Sequence, residues 1–207
     1  MAPSANFSNI YKFYDLINKI LTLGFDTKWR LKAANFLVGN EVLDLGSGTG
    51  ASYKALINLN VTAFDPNVDM LKLNKFSNKI VGYSENLPFE NNSFDSVYSS
   101  FVWRNVNNAD KSLEEVHRVL KENGVFVLLD MTRPNNSFLK SIHKIGTFIV
   151  TNFIGVITFN LKEYKFLHNS LDKYPQPEIH LSNSPFSKFK IKRMGLFNFV
   201  YICIFTK

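Results

Sequence analysis

The chain has 207 residues, 45% of them hydrophobic and 20% charged, enough for one globular domain with its own core. Its single cysteine, Cys203, excludes an intramolecular disulfide framework, and the scattered histidines His117, His143, His168 and His180 have no ligand spacing, so no metal is expected. The net charge of +7 is spread along the chain, which reads as a solvated basic surface and not as a nucleic-acid site.

Residues 7–38 read as helical. Ile10, Phe13, Tyr14, Ile17, Ile20 and Leu21 recur at three- and four-residue steps, Gly24 interrupts, and Asp26 or Thr27 stands ready to cap a second helix holding Trp29, Leu31, Ala34, Phe36 and Leu37. From Glu41 the rhythm alternates strand and helix. Val42–Leu45 is a buried strand, and the next helix holds Tyr53, Leu56 and Ile57. Val61–Phe64 ends at Asp65, and Asn67 or Asp69 opens a short helix with Met70, Leu71 and Leu73. Lys79–Gly82 and Phe94–Ser100 follow as strands. A helix over 109–122 carries Leu113, Val116, Val119 and Leu120 on one face and stops at Asn123-Gly124. Val125–Asp130 is the fifth strand. Apolar runs joined by helices predict a parallel sheet covered on both faces.

After Pro134 the alternation breaks. Ile145–Leu161 carries no charge, yet threonines, asparagines and glycines dilute it, so it reads as a helix lining an apolar pocket or lying at a membrane surface, not as a span. Phe189–Lys192, a turn at Met194-Gly195 and Phe197–Phe205 read as a terminal hairpin. The chain is expected to be one domain: a helical cap over 1–40, a cofactor-binding core over 41–134, a lid-like insertion over 135–180 and the hairpin over 186–207. The 20 phenylalanines suit an apolar substrate pocket or a biased composition equally. No signal peptide opens the sequence, which points to the cytoplasm.

The chemistry gathers around Val42–Gly50. A strand running into Gly46-Ser47-Gly48-Thr49-Gly50 lets the backbone turn sharply and approach a ligand. The spacing is not that of a dinucleotide or triphosphate loop. Asp65 closes the second strand, where an acidic residue accepts hydrogen bonds from ribose hydroxyls. Asp44 sits within an apolar strand, where a carboxylate is costly without hydrogen bonds or a cation. It either bonds the loop's own amides or faces a cationic ligand.

Asp-x-Gly-x-Gly-x-Gly, then Asp65, Glu85-Asn86-Leu87-Pro88-Phe89 and Asn92-Ser93-Phe94-Asp95, resembles the class I S-adenosylmethionine-dependent methyltransferases. The resemblance implies a Rossmann-like α/β fold whose seven-stranded sheet is parallel but for its last strand. It implies S-adenosylmethionine as cofactor, held by Asp44, Gly46, Ser47, Gly48, Gly50, Asp65, Pro66, Ser84, Glu85, Asn86 and Ser99. Tyr83 stands where many relatives have an aspartate for the adenine amino group.

Tyr14-Asp15-Leu16-Ile17-Asn18, Gly24, Trp29-Arg30, Ser100-Phe101-Val102-Trp103-Arg104-Asn105-Val106, Arg118-Val119-Leu120-Lys121, Tyr164-x-Phe166-Leu167-x-x-Ser170 and Tyr174-Pro175 narrow it. They are similar to the UbiE/MenG-type C-methyltransferases of quinone biosynthesis. That similarity implies methylation of a ring carbon of a lipophilic hydroquinone. It implies catalytic roles for Arg104, Asn105, Tyr14 and Asp15: Arg104 stabilises the developing oxyanion, Asn105 and Tyr14 orient ring hydroxyls, and Asp15 serves as base or as a bridge within the N-terminal region. A peripheral membrane contact and a homodimer are both compatible with it. Competing readings are a methyltransferase for another small molecule and a non-catalytic lipid- or cofactor-binding accessory protein.

Overall fold

A computed structural model describes residues 22, 24–157, 168–182 and 184–207. The expected helix with Tyr14 and Asp15 lies outside these residues, as does the segment with Tyr164, Phe166 and Leu167. The elements are α1 (Asp26–Ala34), β1 (Glu41–Leu45), α2 (Tyr53–Leu56), β2 (Asn60–Asp65), α3 (Val68–Leu73), β3 (Asn78–Val81), β4 (Phe94–Ser100), α4 (Ala109–Val119), β5 (Leu120–Met131), α5 (Ser137–Ile157), α6 (Pro177–His180), β6 (Lys188–Met194) and β7 (Val200–Thr206).

Seven strands form one sheet in the order β3-β2-β1-β4-β5-β7-β6. The first five run parallel, and β7 lies antiparallel to both β5 and β6. The order reverses between β1 and β4, which opens a crevice at the carboxyl ends of the central strands.

The strands are apolar on both faces because both faces are covered. Their two-residue period divides the side chains. Leu43, Leu45, Phe126 and Leu128 pack with Leu113, Val116 and Val119 of α4. Val42, Val125, Val127 and Leu129 pack on the other side with Trp29 and Ala33 of α1, Leu56 of α2 and Leu71 of α3. Helix starts among the described residues follow capping chemistry in three cases. Asn67 Oδ1 accepts from the amides of Asp69 and Met70, Asn108 Oδ1 from that of Lys111, and Asn136 Oδ1 from that of Leu139 at the start of α5.

Three local expectations are corrected. Neither Asp26 nor Thr27 caps α1. Phe25 is the cap residue and makes no side-chain cap bond, while Asp26 is already helical and sits beside Arg30, 3.9 Å away. Helix α2 ends before Ile57, which is exposed. Helix α4 stops at Val119, short of Asn123-Gly124, because Leu120 is recruited into the sheet opposite Phe94. The pair instead shapes an irregularity in β5: Asn123 takes the positive φ, and a side chain at Gly124 would press on the carbonyl oxygens of Lys121 and Asp95.

Candidate active site

Strand β1 delivers the glycine loop into the crevice. The amides of Gly46 and Ser47 donate to the Phe64 carbonyl at 2.7 and 3.1 Å, tying the loop to β2. Gly46, Gly48 and Gly50 all have positive φ. At two of them the packing also forbids a side chain: a Cβ at Gly46 would overlap Val102, and one at Gly50 would come within 2.7 Å of Asn74 Oδ1. Asn74 Nδ2 holds the Gly48 carbonyl at 3.1 Å.

Asp65, at the end of β2, accepts from the Gly48 amide at 2.9 Å and from the Asn67 amide at 2.8 Å. Burial raises its pKa and these two donors offset part of the rise. One carboxylate thus couples the glycine loop to the start of α3 while bordering the pocket.

Asp44 stands behind the loop, 1% exposed. Its Oδ2 has no hydrogen-bond partner among the described residues. Burial raises its pKa to about 7; the Arg30 guanidinium opposes the rise and the Asp65 carboxylate adds to it. Of the two readings of Asp44, this geometry favours the one that leaves a carboxylate oxygen for a cation.

The pocket is lined by Gly46, Ser47, Gly48, Asp65, Pro66, Ser84, Glu85, Ser99 and Asn105, all named from the sequence. Ser47 and Ser99 are buried and their hydroxyls lack partners among the described residues. Glu85 Oε1 accepts from the amides of Asn107 and Asn108, both at 3.0 Å, bracing the turn after β3 against the loop after β4. Tyr83 lines the pocket and is largely exposed.

Four residues named from the sequence do not line it. Asp44 is buried behind the lining, and Gly50 is packed on Asn74. The Asn86 amide bonds the Tyr83 carbonyl. Arg104 is turned toward the sheet: its Nε meets Asp130 Oδ1 at 2.7 Å, its amide donates to Asp130 Oδ2 at 3.2 Å and its Nη1 to Ser170 Oγ at 3.1 Å. Both side chains of this ion pair are essentially inaccessible, 2% and 0% exposed. Tyr14 and Asp15 lie outside the described residues.

The sequence reading gave no role to Arg30, which lines the pocket from α1. Its Nη1 donates to Ser52 Oγ at 3.0 Å and to Ser100 Oγ, and its guanidinium lies over the Phe101 ring at 4.9 Å. The Trp29-Arg30 pair was visible, but nothing local distinguishes a buried arginine from a solvated one.

S-adenosylmethionine fits this donor set. An unsatisfied buried carboxylate suits a cation, two unsatisfied serine hydroxyls suit polar groups, and Asp65 sits at the strand end where ribose is met. No phosphate-binding lysine follows the glycines.

Residues 4–188 match the ubiE/COQ5 methyltransferase family. The chain is 31% identical over 213 residues to the ubiquinone/menaquinone biosynthesis C-methyltransferase UbiE of Rickettsia felis, covering 91% of this chain and 86% of that protein. It is 32% identical over 187 residues to the demethylmenaquinone methyltransferase of Thermotoga maritima, covering 83% and 81%. Among solved structures, a SAM-dependent methyltransferase from Archaeoglobus fulgidus superposes with a TM-score of 0.64 at 16% identity, covering 94% of this chain and 100% of that one. Another from Thermotoga maritima gives 0.64 at 18%, covering 97% and 99%. These structural likenesses speak for the fold alone. The match in sequence runs through most of the chain, and by it the chain belongs to the ubiE/COQ5 methyltransferase family.

Proposed function

We propose that the protein methylates a ring carbon of a polyprenyl hydroquinone of the ubiquinone or menaquinone type. The observation that carries this reading is the family match over residues 4–188 with relatives so named. When bound, S-adenosylmethionine supplies a methyl group on a sulfonium, ready for displacement. Ser47 and Ser99 would hold the charged end, with the buried Asp44 carboxylate behind the loop supplying the opposite charge; Asp65 would hold the ribose, and residues 83–86 would flank the adenine.

Carbon is a weak nucleophile unless the neighbouring ring hydroxyl ionises, so the protein must hold that hydroxyl and favour its anion. Asn105, in the pocket lining, orients it. Arg104 acts from one residue away: its buried ion pair with Asp130 fixes the turn that carries Asn105, and it is not the base, since its own proton cannot be removed. Tyr14 orients the ring, and Asp15 receives the hydroxyl proton. The reaction replaces a ring C–H with C–CH3 and releases one proton.

The described residues contain no helix long and apolar enough to cross a membrane. Helix α5 nevertheless exposes Phe138, Ile145, Ile149 and Phe153, each at least 60% accessible, and its only charged side chains besides histidine are Lys140 and Lys144. We assign this face to peripheral contact with an anionic bilayer. Liposome flotation tests it: vesicles with and without anionic lipid should both be compared, and failure to float with either rejects it.

Incubation with methyl-labelled S-adenosylmethionine and demethylated hydroquinones, followed by mass spectrometry, tests the reaction. Label on a ring carbon is expected; no transfer to any such hydroquinone overturns it.

A further inference from the structure

A second, larger cavity of about 750 Å³ opens between α1, α5 and the turn that joins β6 to β7. Its volume falls within the range of ligand pockets. None of the described residues lining it is Lys, Arg, Asp or Glu. Phe25 and Trp29 form one wall, Ile142 and Val150 another, and Leu196 and Phe199 a third.

The polar side chains His143, Thr147, Thr151 and His168 on its rim make hydrogen bonds within the protein. Arg133, almost fully buried, donates to Thr147 Oγ1 at 2.7 Å, meets His143 Nδ1 at 3.2 Å and pairs with Asp172 at 2.9 Å. Thr151 Oγ1 returns to the Thr147 carbonyl at 2.7 Å. Burial and Arg133 lower the pKa of His143 to about 4, so its ring is neutral at physiological pH. What the described residues of the groove offer a ligand is mainly hydrocarbon.

Two further observations point to the occupant. Gly146 sits mid-helix on the groove with an ordinary helical backbone, and a Cβ there would meet no described atom within 4 Å. Glycine is a poor helix former, and neither strain nor crowding requires it here, so the space above it is room. Second, α1 is a wall common to both cavities: Trp29 lines the groove and Arg30, the next residue, lines the cofactor pocket. A molecule with a polar ring beside the cofactor and a long apolar tail needs that adjacency.

We propose that this groove seats the hydrocarbon tail of the methyl acceptor, an inference that rests on the hydroquinone reading above. Gly146→Phe fills the groove from a position where the helix tolerates it, and Gly146→Ala leaves the groove open. With the intact protein, the KM of a polyprenyl hydroquinone should rise at least about tenfold in Gly146→Phe. The same ring without a tail should be turned over unchanged, and Gly146→Ala should match the parent. Equal effects on both acceptors, or none on the tailed one, overturn the proposal.

A readout without turnover uses a bromine-tipped dodecanol. It should quench Trp29 but not Trp103, which is fully buried in the opposite core. The quenching should vanish in Gly146→Phe, and the tailed hydroquinone should displace the probe where lysophospholipid does not. Absence of quenching in the parent means the groove is closed or filled by the chain itself and sinks the idea. Displacement by lysophospholipid alone assigns the groove to membrane lipid and also overturns it. Normal quenching with no methylation of either acceptor rejects the hydroquinone reading, and the tail with it, while leaving a hydrocarbon site.

Discussion

Replacing Asp44 by Asn should make the ligand-free protein more stable and the cofactor complex weaker. The carboxyl's pKa rises from 3.8 in the unfolded chain to about 7 in the folded protein. Between those values the folded state retains a proton that the unfolded chain has lost, so stability falls as pH rises through that window. Three pKa units correspond to about 4 kcal/mol at pH 8. The Asn amide remains a buried polar group and takes back about 1–3 kcal/mol. The net gain is then about 1–3 kcal/mol, which at about 2–4 °C per kcal/mol raises Tm by several degrees.

Thermal scans without cofactor from pH 4 to 8 read this directly. The gain of Asp44→Asn over the parent should be smallest near pH 4 and grow to its full size above pH 7. Titration with S-adenosylmethionine completes the assay. Loss of a charge-assisted contact worth about 1.5–3 kcal/mol should weaken binding roughly ten- to hundredfold. Parent affinity should climb between pH 6 and 8 as Asp44 ionises, and the variant's should stay flat. A pH-independent Tm difference, or unaltered cofactor affinity, would refute the reasoning.

Arg30→Met removes the positive charge that opposes the rise in Asp44's pKa. The midpoint of the affinity-versus-pH curve should move upward, and an unmoved midpoint would show that the two groups are not coupled. Arg104→Ala leaves Asp130 buried and unpaired, at a cost of about 3–5 kcal/mol. Chemical denaturation should register that loss, and turnover should fall further than cofactor binding. Asn67→Ala strips the start of α3 of its cap and should lower stability by about 1 kcal/mol, seen as a lower urea midpoint at constant m-value.

The parts of this fold legible in the sequence are those fixed by local chemistry. Val42–Leu45 reads as a strand because a central strand covered on both faces is mostly apolar, and Phe94–Ser100 because Phe94, Val97 and Tyr98 stand among small serines that a covered sheet can bury. The sequence offers Asn67 or Asp69 to open α3, and Asn67 does so because its side chain reaches amides two and three residues on. The glycine loop and Asp65 read as a nucleotide-type site because β1 and β2 deliver them to neighbouring positions.

What failed depended on distant partners. Helical periodicity ran past Val119, but Leu120 had a strand partner in Phe94, and the sheet won. Asn123-Gly124 looked like a helix stop, yet its geometry answers to the carbonyls of Asp95 and Lys121. Arg104 stood out through its motif, but its buried partner Asp130 lies on the next strand, and no local pattern announces that pair. Arg30 reaches Ser52 and Ser100 from elements that follow it in the chain, so its place in the pocket is a property of the assembled sheet.

The position of β7 bears on how the chain is made. It is the last strand in chain order, yet it lies inside the sheet, between β5 and β6. As the chain emerges during synthesis, β5 presents an unpaired edge with Phe126, Leu128 and Leu129 until Val200–Thr206 arrives. All the strands that frame the glycine loop precede that moment, so the nucleotide half can assemble while the opposite edge is still open. An unpaired apolar edge is a template for pairing with another chain. Nascent chains arrested before residue 200 should therefore bind chaperones or aggregate, and extension through Thr206 should release them.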